Sequence, residues 1–436
     1  MDQLNIERLG IPTVTIMTTP FSVLAKTVAT AEGFPETAFL TVPHPVGMIP
    51  VADVIKKADN AFEAIMKLAI GWQPSGETAA SQSAYPAERL KFQGSSAEVN
   101  ELFLKREWSL GLPVNPPTPE SVQEMLKGTT RAPDEVLGEV PPKMGVLTVE
   151  LTAVHAVMAG CKPQYMPVLI AALEAFLSPE ANWRGTLSTT GTTQHMVIVN
   201  GPVVKEIGIA CDQGSAGKGH HANAAIGYAL NLIGYAVGGS KPPSIDKSTL
   251  ASPADFVCWV FGENEAEIPE GWDPLHVDRG FKRSDSVVTV MGSYPPIENI
   301  DHFSMTVEEH LRWWSRTIGP ISNMGGPAVP IVLKQNPIIA VGPEHVALMA
   351  AEKCSKDEFK RGFWKATRTP LSVWPSGCTE AAKMPKRFPA ENGEVLIPVV
   401  DKPEQLLVMI AGGEGKHSHY FPPFIGAFPV SKLVRP

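Results

Sequence analysis

KMGVLTVELTAVHAVMAGCKPQYMPVLIAALEAFLS, residues 143–178, decides how the rest of the chain is read. Its spacing predicts two helices meeting at a tight Gly160-Cys161-Lys162-Pro163 corner. The first runs from about Thr148 to Ala159 and stops at Gly160, the residue that tolerates a left-handed cap. The second opens on Pro163, whose missing N–H costs nothing at a helix start. Cys161 then stands just outside a helix N-terminus, beside Lys162. Unpaired N–H groups and a neighbouring cation both favour thiolate over thiol, so the corner predicts a nucleophile. Glu150 lies eleven residues upstream, almost a whole number of turns, which puts its carboxylate on the stripe of Val154, Met158 and Cys161. Glu150 or His155 would serve as general base, although His155 falls about 120° off that stripe. The plainer reading of Cys161 is a small buried core residue.

The totals narrow the class. A chain of 436 residues with 44% hydrophobic and 19% charged residues has ample material for real cores and room for two or three domains. A net charge of −8 and the lack of a Lys/Arg-rich run argue against nucleic acid as a partner. No apolar run reaches the ~18 residues that span a bilayer, and no signal-peptide pattern opens the chain. Five cysteines, odd in number and widely spaced, predict free thiols in a reducing compartment, hence a cytoplasmic protein. No CxxC, HExxH or finger spacing occurs.

Residues 1–72 read as a βαβα domain: strand Ile11–Met17, helix Phe21–Ala31, strand Ala38–Val42 and a long amphipathic helix Val51–Ile70. That alternation predicts a parallel sheet with ligand sites at the strand C-termini, among them Thr18-Thr19 and His44, which reads equally as a loop histidine. Residues 73–145, with PVNPPTPE, RAPDE and EVPPK around one short helix, Glu120 to Lys127, form a proline-rich connecting arm of the kind that wraps a neighbouring subunit. Residues 146–436 form a larger mixed α/β module with Gly-rich loops. In QHMVIVNGPVVKEIGIA, Asn200-Gly201 between apolar runs predicts a hairpin. Cys211 to His221 is a glycine-rich loop feeding a helix, Ala222 to Val237, and a helix start after such a loop is an anion cradle. Gly217, Lys218, Gly219 and Asn223 are its candidate substrate-binding residues, although a loop that is glycine-rich only in order to turn explains the same letters. Adjacent His220 and His221 are a weak metal pair. DFVCWVFGENEAE and VVTVMG are strands, with Cys258 in the core and Glu263 and Glu265 at a strand end, where they line a site or form an acidic loop. Thr306–Ile318 is a helix with a Thr306/Glu309 capping pattern and packing tryptophans at 313 and 314. Strand Leu406–Ile410 runs into AGGEGKHSHY, so Gly412, Gly413 and Gly415 form a second cradle. His417 and His419, at i, i+2 on an extended segment, put both rings on one side, a geometry for a metal or an anion, and ordinary surface histidines otherwise. Cys378, in WPSGC, reads as the next exposed thiol after Cys161.

ERLGIPTVTIMTTPF and TVPHPVG, within residues 7–70, resemble the UGSC family, named for a selenocysteine-Gly-Ser-Cys motif, and are distantly similar to a segment of glycine, sarcosine and betaine reductase subunits. TVELTAVHAVMAGCKPQYMPV, IVNGP, ANAAIGYALNLIGYAVGG, ENEAE with PLHVDRGF, and VMIAGGEGKHSH resemble the larger companion module of UGSC-type proteins. The resemblance implies architecture more than reaction. The family's cysteine motif precedes the GIPTV strand, whereas this chain has no cysteine before Cys161, and Pro375-Ser376-Gly377-Cys378 lies elsewhere.

Three functions stay open. The first is an enzyme on a small anionic sulfur- or carbonyl-containing substrate: Cys161 is the nucleophile, Lys162 activates it, the two glycine loops hold the oxyanion, and Cys378 is the alternative thiol. The second is an enzyme whose divalent metal is held by His417, His419 and a carboxylate such as Glu414 or Glu263. The third is a non-catalytic subunit, a homo-oligomer or a complex with a related chain.

Overall fold

The computed structural model describes residues 2–47, 49–71, 89–318, 333–374 and 381–436. Helix α1 (Asp2–Glu7) precedes strand β1 (Thr15–Thr18), helix α2 (Ser22–Ala31), strand β2 (Phe39–Val42) and helix α3 (Val51–Ile70). β1 and β2 pair in parallel, Thr15 opposite Phe39, as the alternation predicts. β1 begins later than the apolar run does because Pro12 cannot donate to a ladder. Leu4, Ala29 and Phe34 form a small core beside Phe39.

Next come α4 (Ser96–Lys105), α5 (Pro119–Leu126) and the antiparallel pair β3 (Val136–Val140) and β4 (Gly145–Thr148). The expected helix over Glu120–Lys127 is α5. α4 is additional, and its Ser95/Glu98 capping box is legible as S-x-x-E. The helical corner forms as predicted, between α6 (Val149–Met158) and α7 (Met166–Phe176), with a 3-10 turn over Pro163–Tyr165. Gly160 takes φ +77, and the Cys161 N–H donates to Ala156 O at 2.8 Å, closing the α6 cap.

The remaining elements are α8 (Trp183–Thr186), β5 (Gln194–Asn200), α9 (Val203–Glu206), α10 (His221–Ala236), β6 (Trp259–Gly262), α11 (Leu275–Asp278), β7 (Val287–Ser293), β8 (Ile297–Ile300), α12 (Val307–Trp314), β9 (Ile338–Val341), α13 (Pro343–Ala351), α14 (Lys356–Ala366), β10 (Thr369–Pro370), β11 (Ala390–Glu391), β12 (Glu394–Ile397), β13 (Leu407–Ile410), β14 (His417–Phe421) and β15 (Val430–Leu433). Two mixed four-stranded sheets dominate, in the orders β15-β7-β5-β6 and β13-β9-β14-β8. β5 with β6 and β13 with β9 are the parallel pairs, and the others are antiparallel.

β5 shows how the layers stack. Met196 and Ile198 join Phe261, Met291, Ile338, Leu407 and Met409 in a core between the two sheets. Val197 and Val199, on the opposite face, join α6, α7 and α10 in the largest core. A strand buried on both faces reads as an unbroken apolar run, which MVIV is. Helices α12 to α14 cover the outer face of the second sheet through Trp314, Met349, Phe359 and Phe363. No helix among the described residues is long and apolar enough to cross a membrane.

The hairpin expected at Asn200-Gly201 is a correction. The chain leaves β5 into α9, and β5 pairs in parallel with β6 instead of with the segment that follows it. Pro202 supplies the reason, since a proline next to the turn cannot donate to a ladder. Gly201 has φ +82, and a Cβ there would stand 2.1 Å from Asp285 O. Gly201→Ala is therefore expected to lower unfolding free energy by about 2 kcal/mol or more in urea titration. A change below about 0.5 kcal/mol would mean that this junction has slack the packing does not show.

Candidate active site

The carboxyl ends of β6 and β13 meet, because Asn264 N donates to Ile410 O at 2.8 Å. Glu263, the residue after β6, sits at that junction, 2% exposed. Its Oε2 accepts from Asn200 Nδ2 at 2.6 Å and from Leu275 N at 2.7 Å, and its Oε1 accepts from Ile410 N at 3.2 Å. One carboxyl group thus ties together the ends of β5, β6 and β13 and the first residue of α11. Burial drives its pKa upward, and the nearby Lys356 and these three donors only partly oppose that, leaving it at about 7.

Glu265 follows two residues later with its side chain 29% exposed. Its Oε1 accepts from Asn200 Nδ2 at 3.1 Å and from Gly201 N at 2.8 Å. The two hydrogens of a single amide nitrogen therefore serve both carboxylates. His276 Nδ1 lies 3.8 Å from Glu265 Oε1, too far for a hydrogen bond. The His276 ring is fully buried, and among the described residues neither ring nitrogen has a hydrogen-bond partner, nor does Asn200 Oδ1. Buried polar atoms left open in this way cost free energy and are where a bound molecule gains most.

The two glycine loops converge beside this cluster. Gly412 N donates to Cys211 O at 3.0 Å, and Asn264 Nδ2 donates to Gly412 O at 3.0 Å. A Cβ on Gly413 would stand 2.5 Å from Gln213 Oε1, so glycine is needed for the loops to touch. Gly412 and Gly415 take φ +89 and +131. Cys211 is half-buried, and its thiol is pushed up by burial first and then by Asp212 and Glu265.

Other expected site residues have different roles. The Asn223 amide is fully occupied: Nδ2 donates to Ala210 O, Ser215 O and Val260 O, and Oδ1 accepts from Ala210 N. It is a staple that fixes the first glycine loop onto α10 and β6, with its amide hydrogens committed to backbone carbonyls. The Gly217 N–H is turned inward to Gly214 O at 2.7 Å, so the loop does not present it to an anion. Gly219 has φ +97, and Lys218 is exposed beside it.

Cys161 is a correction in its ionisation. It is 8% exposed within the main apolar core, and burial pushes its thiol up to about 12. Desolvation outweighs the helix start, the Cys161 N–H is already bonded, and Lys162 is exposed, where water screens its charge. Glu150 pairs with Arg89 at 2.8 Å. It stands in the first turn of α6, at the opposite end of that helix from Cys161. His155 is buried, which lowers its pKa, and its Nδ1 bonds Leu151 O at 2.8 Å within its own helix. Cys378 lies outside the described residues. Burial also raises the thiols of Cys258 and Cys354.

His417 and His419 lie on β14 as expected, both on one face. His417 Nδ1 pairs with Glu298 Oε1 at 2.7 Å on the surface, and burial lowers the pKa of His419. Among the described residues, ligand atoms gather within 4.8 Å at Asp301, His310 and His345, a group that includes neither of them, nor Glu263 or Glu414. The group is a poor fit for a metal. Trp314 Nε1–H donates to His310 Nε2 at 3.1 Å, which fixes the ring proton on Nδ1, facing Asp301 Oδ2 at 2.8 Å. A metal on Nδ1 would force the proton onto Nε2, against the indole N–H. His345 bonds Ser418 Oγ at 2.7 Å and Asp301 O at 3.0 Å, and Gly342 N donates to Ser418 Oγ at 3.0 Å. Every ring nitrogen is used, so the cluster pins α12 and α13 to the second sheet. Burial of Asp301 is outweighed by donors from Ser304, His310 and Phe303, which hold its carboxyl well below the usual range. Burial first, then His310, pushes His345 down to about 4.

Of the central cluster, Glu263 and Glu265 are legible in the sequence, while Asn200 and His276 are not. Asn200 is hidden by its turn-forming neighbour Gly201, and His276 follows no motif. Residues 1–71 match the UGSC family model, a stretch that ends after α3 and contains none of these site residues. No curated protein and no solved structure matches the chain.

Glu263 makes stability pH-dependent with a definite sign. Its folded pKa, about 7, exceeds the ordinary glutamate value of about 4.3, so the folded state holds the proton more tightly. Its contribution is complete below the unfolded pKa and is lost as pH rises toward 7, by about 3 kcal/mol in all. Urea titrations at pH 4.5 and 7.5 are expected to show that loss in the wild type and its absence in Glu263→Gln. Parallel pH dependences in the two proteins would refute the assignment.

Proposed function

We propose that this chain is an enzyme that moves a proton on a small-molecule substrate at the Asn200–Glu263–Glu265 cluster. The observation that supports it most is a buried carboxyl poised near neutral pH that shares one amide donor with a partly exposed carboxylate, at the junction of strand ends. A general acid or base works best with a pKa near the working pH, and strongly perturbed groups concentrate at such sites. Parallel strand ends are also where α/β folds bind ligands.

In this reading Glu265 touches the substrate, and Glu263 sets its charge state through Asn200. Glu263 and Glu265, with Asp212 and Glu414 on the flanking loops, favour a substrate that offers hydrogen-bond donors or a positive charge over an anion. Thiolate chemistry at Cys161 has no part in it.

Screening small amines, amides and hydroxy compounds for turnover tests the proposal. For any substrate found, kcat/KM is expected to fall about 100-fold or more in Glu265→Gln with the fold retained by circular dichroism. The wild-type limb near pH 7 should be lost in Glu263→Gln. Turnover by Glu265→Gln at the wild-type rate would end the proposal.

A further inference from the structure

We propose that the buried Asp301–His310–His345 network is an acid-sensitive latch, which holds α12 and α13 on the second sheet at neutral pH and releases them when its histidines take up protons. The hydrogen-bond partners fix the proton count. His345 Nε2 faces a carbonyl, Asp301 O, at 3.0 Å. A carbonyl only accepts, so this nitrogen carries the ring proton and Nδ1 is bare. Nδ1 takes the Ser418 hydroxyl hydrogen at 2.7 Å, and the same hydroxyl accepts from Gly342 N at 3.0 Å. On His310 the bare atom is Nε2, which accepts from the Trp314 indole N–H at 3.1 Å. The network is therefore satisfied only while both rings are neutral.

A second proton breaks a bond on either ring. On His310 it meets the indole N–H, a group that only donates. On His345 it strips the Ser418 hydroxyl hydrogen of its acceptor. The two ring centroids stand 4.2 Å apart, so two imidazolium charges would repel, and Asp301 carries a single negative charge for both. Burial lowers the pKa of each histidine first of all. Asp301, on the β8–α12 connection, opposes that effect, and His417, from β14, adds to it at His345. Glu352, at the end of α13, accepts from Val307 N at 3.1 Å, and α14 contributes the apolar Phe359 and Phe363. His195 is buried too, yet it faces Asn231 Oδ1 and Thr186 Oγ1, both of which can accept. The donor clash thus distinguishes the latch from a merely buried histidine.

The sign follows from linkage. The folded His345 pKa, about 4, lies below the ordinary histidine value of about 6.5. Its contribution is complete above the higher value and is lost as pH falls toward the lower one. Opening of α12 and α13 then becomes easier by about tenfold per pH unit for each histidine titrating in that window. Asp301 stays ionised throughout, because its carboxyl lies well below the usual range.

Hydrogen exchange of the full chain, read by mass spectrometry and corrected for the intrinsic rate at each pH, tests the latch. Protection of the α12 and α13 peptides is expected to fall by about tenfold or more between pH 6.5 and pH 5. His345→Gln supplies an acceptor and a donor but no titrating group, so its fall should be smaller, measured against its own protection at pH 6.5. Trp314→Phe removes the opposing N–H and lets a charged His310 keep Asp301, so it should flatten the fall as well, whatever it costs at neutral pH. Wild-type protection that is the same at both pH values would overturn the proposal. So would a full wild-type fall retained in either variant.

Discussion

The fold turns on one buried carboxyl group. Glu263 receives hydrogen bonds from the end of β5, the end of β13 and the start of α11, while its own backbone continues β6. Strand ends that would otherwise leave unpaired N–H groups in the interior find their acceptor there. The two sheets are held face to face by apolar packing, but their relative placement at this edge is set by a polar contact with fixed directions. A carboxyl group kept out of water is costly when charged, and its pKa near neutrality records that tension.

From that constraint the neighbouring chemistry follows. Asn200 must face the junction to serve Glu263, which places its second amide hydrogen on Glu265. The glycine loops can approach this closely only because Gly413 has no side chain to obstruct Gln213. The structure therefore gathers an exposed and a buried carboxylate in one place, while Cys161, Cys211, Cys258 and Cys354 lie where burial raises their thiols. The N-terminal unit, matched by the UGSC family model, stands apart from this chemistry.

How much of this was legible depended on whether the signal was local. The α3 boundaries, the cap at Gly160 and the helix after the first glycine loop follow from spacing and cap residues within a turn or two. Cys161 failed because a helix start and a cation are local facts, whereas burial in the main apolar core is a tertiary one. Asn200-Gly201 failed because the hairpin pattern is local, while the parallel partner β6 arrives about sixty residues later. His417 and His419 were placed correctly on an extended strand, yet the histidines that gather a carboxylate are His310 and His345, brought together across thirty-five positions. Closed hydrogen-bond networks leave no periodic trace.

The contact between Gly413 and Gln213 carries a consequence for how such chains can diverge. Two turns far apart in sequence approach so closely that a methyl group at Gly413 would overlap Gln213 of the other. Length variation at either turn must then be matched by compensating variation at the other. Relatives that keep the four-layer body should inherit the pair as a single unit, long with long or short with short.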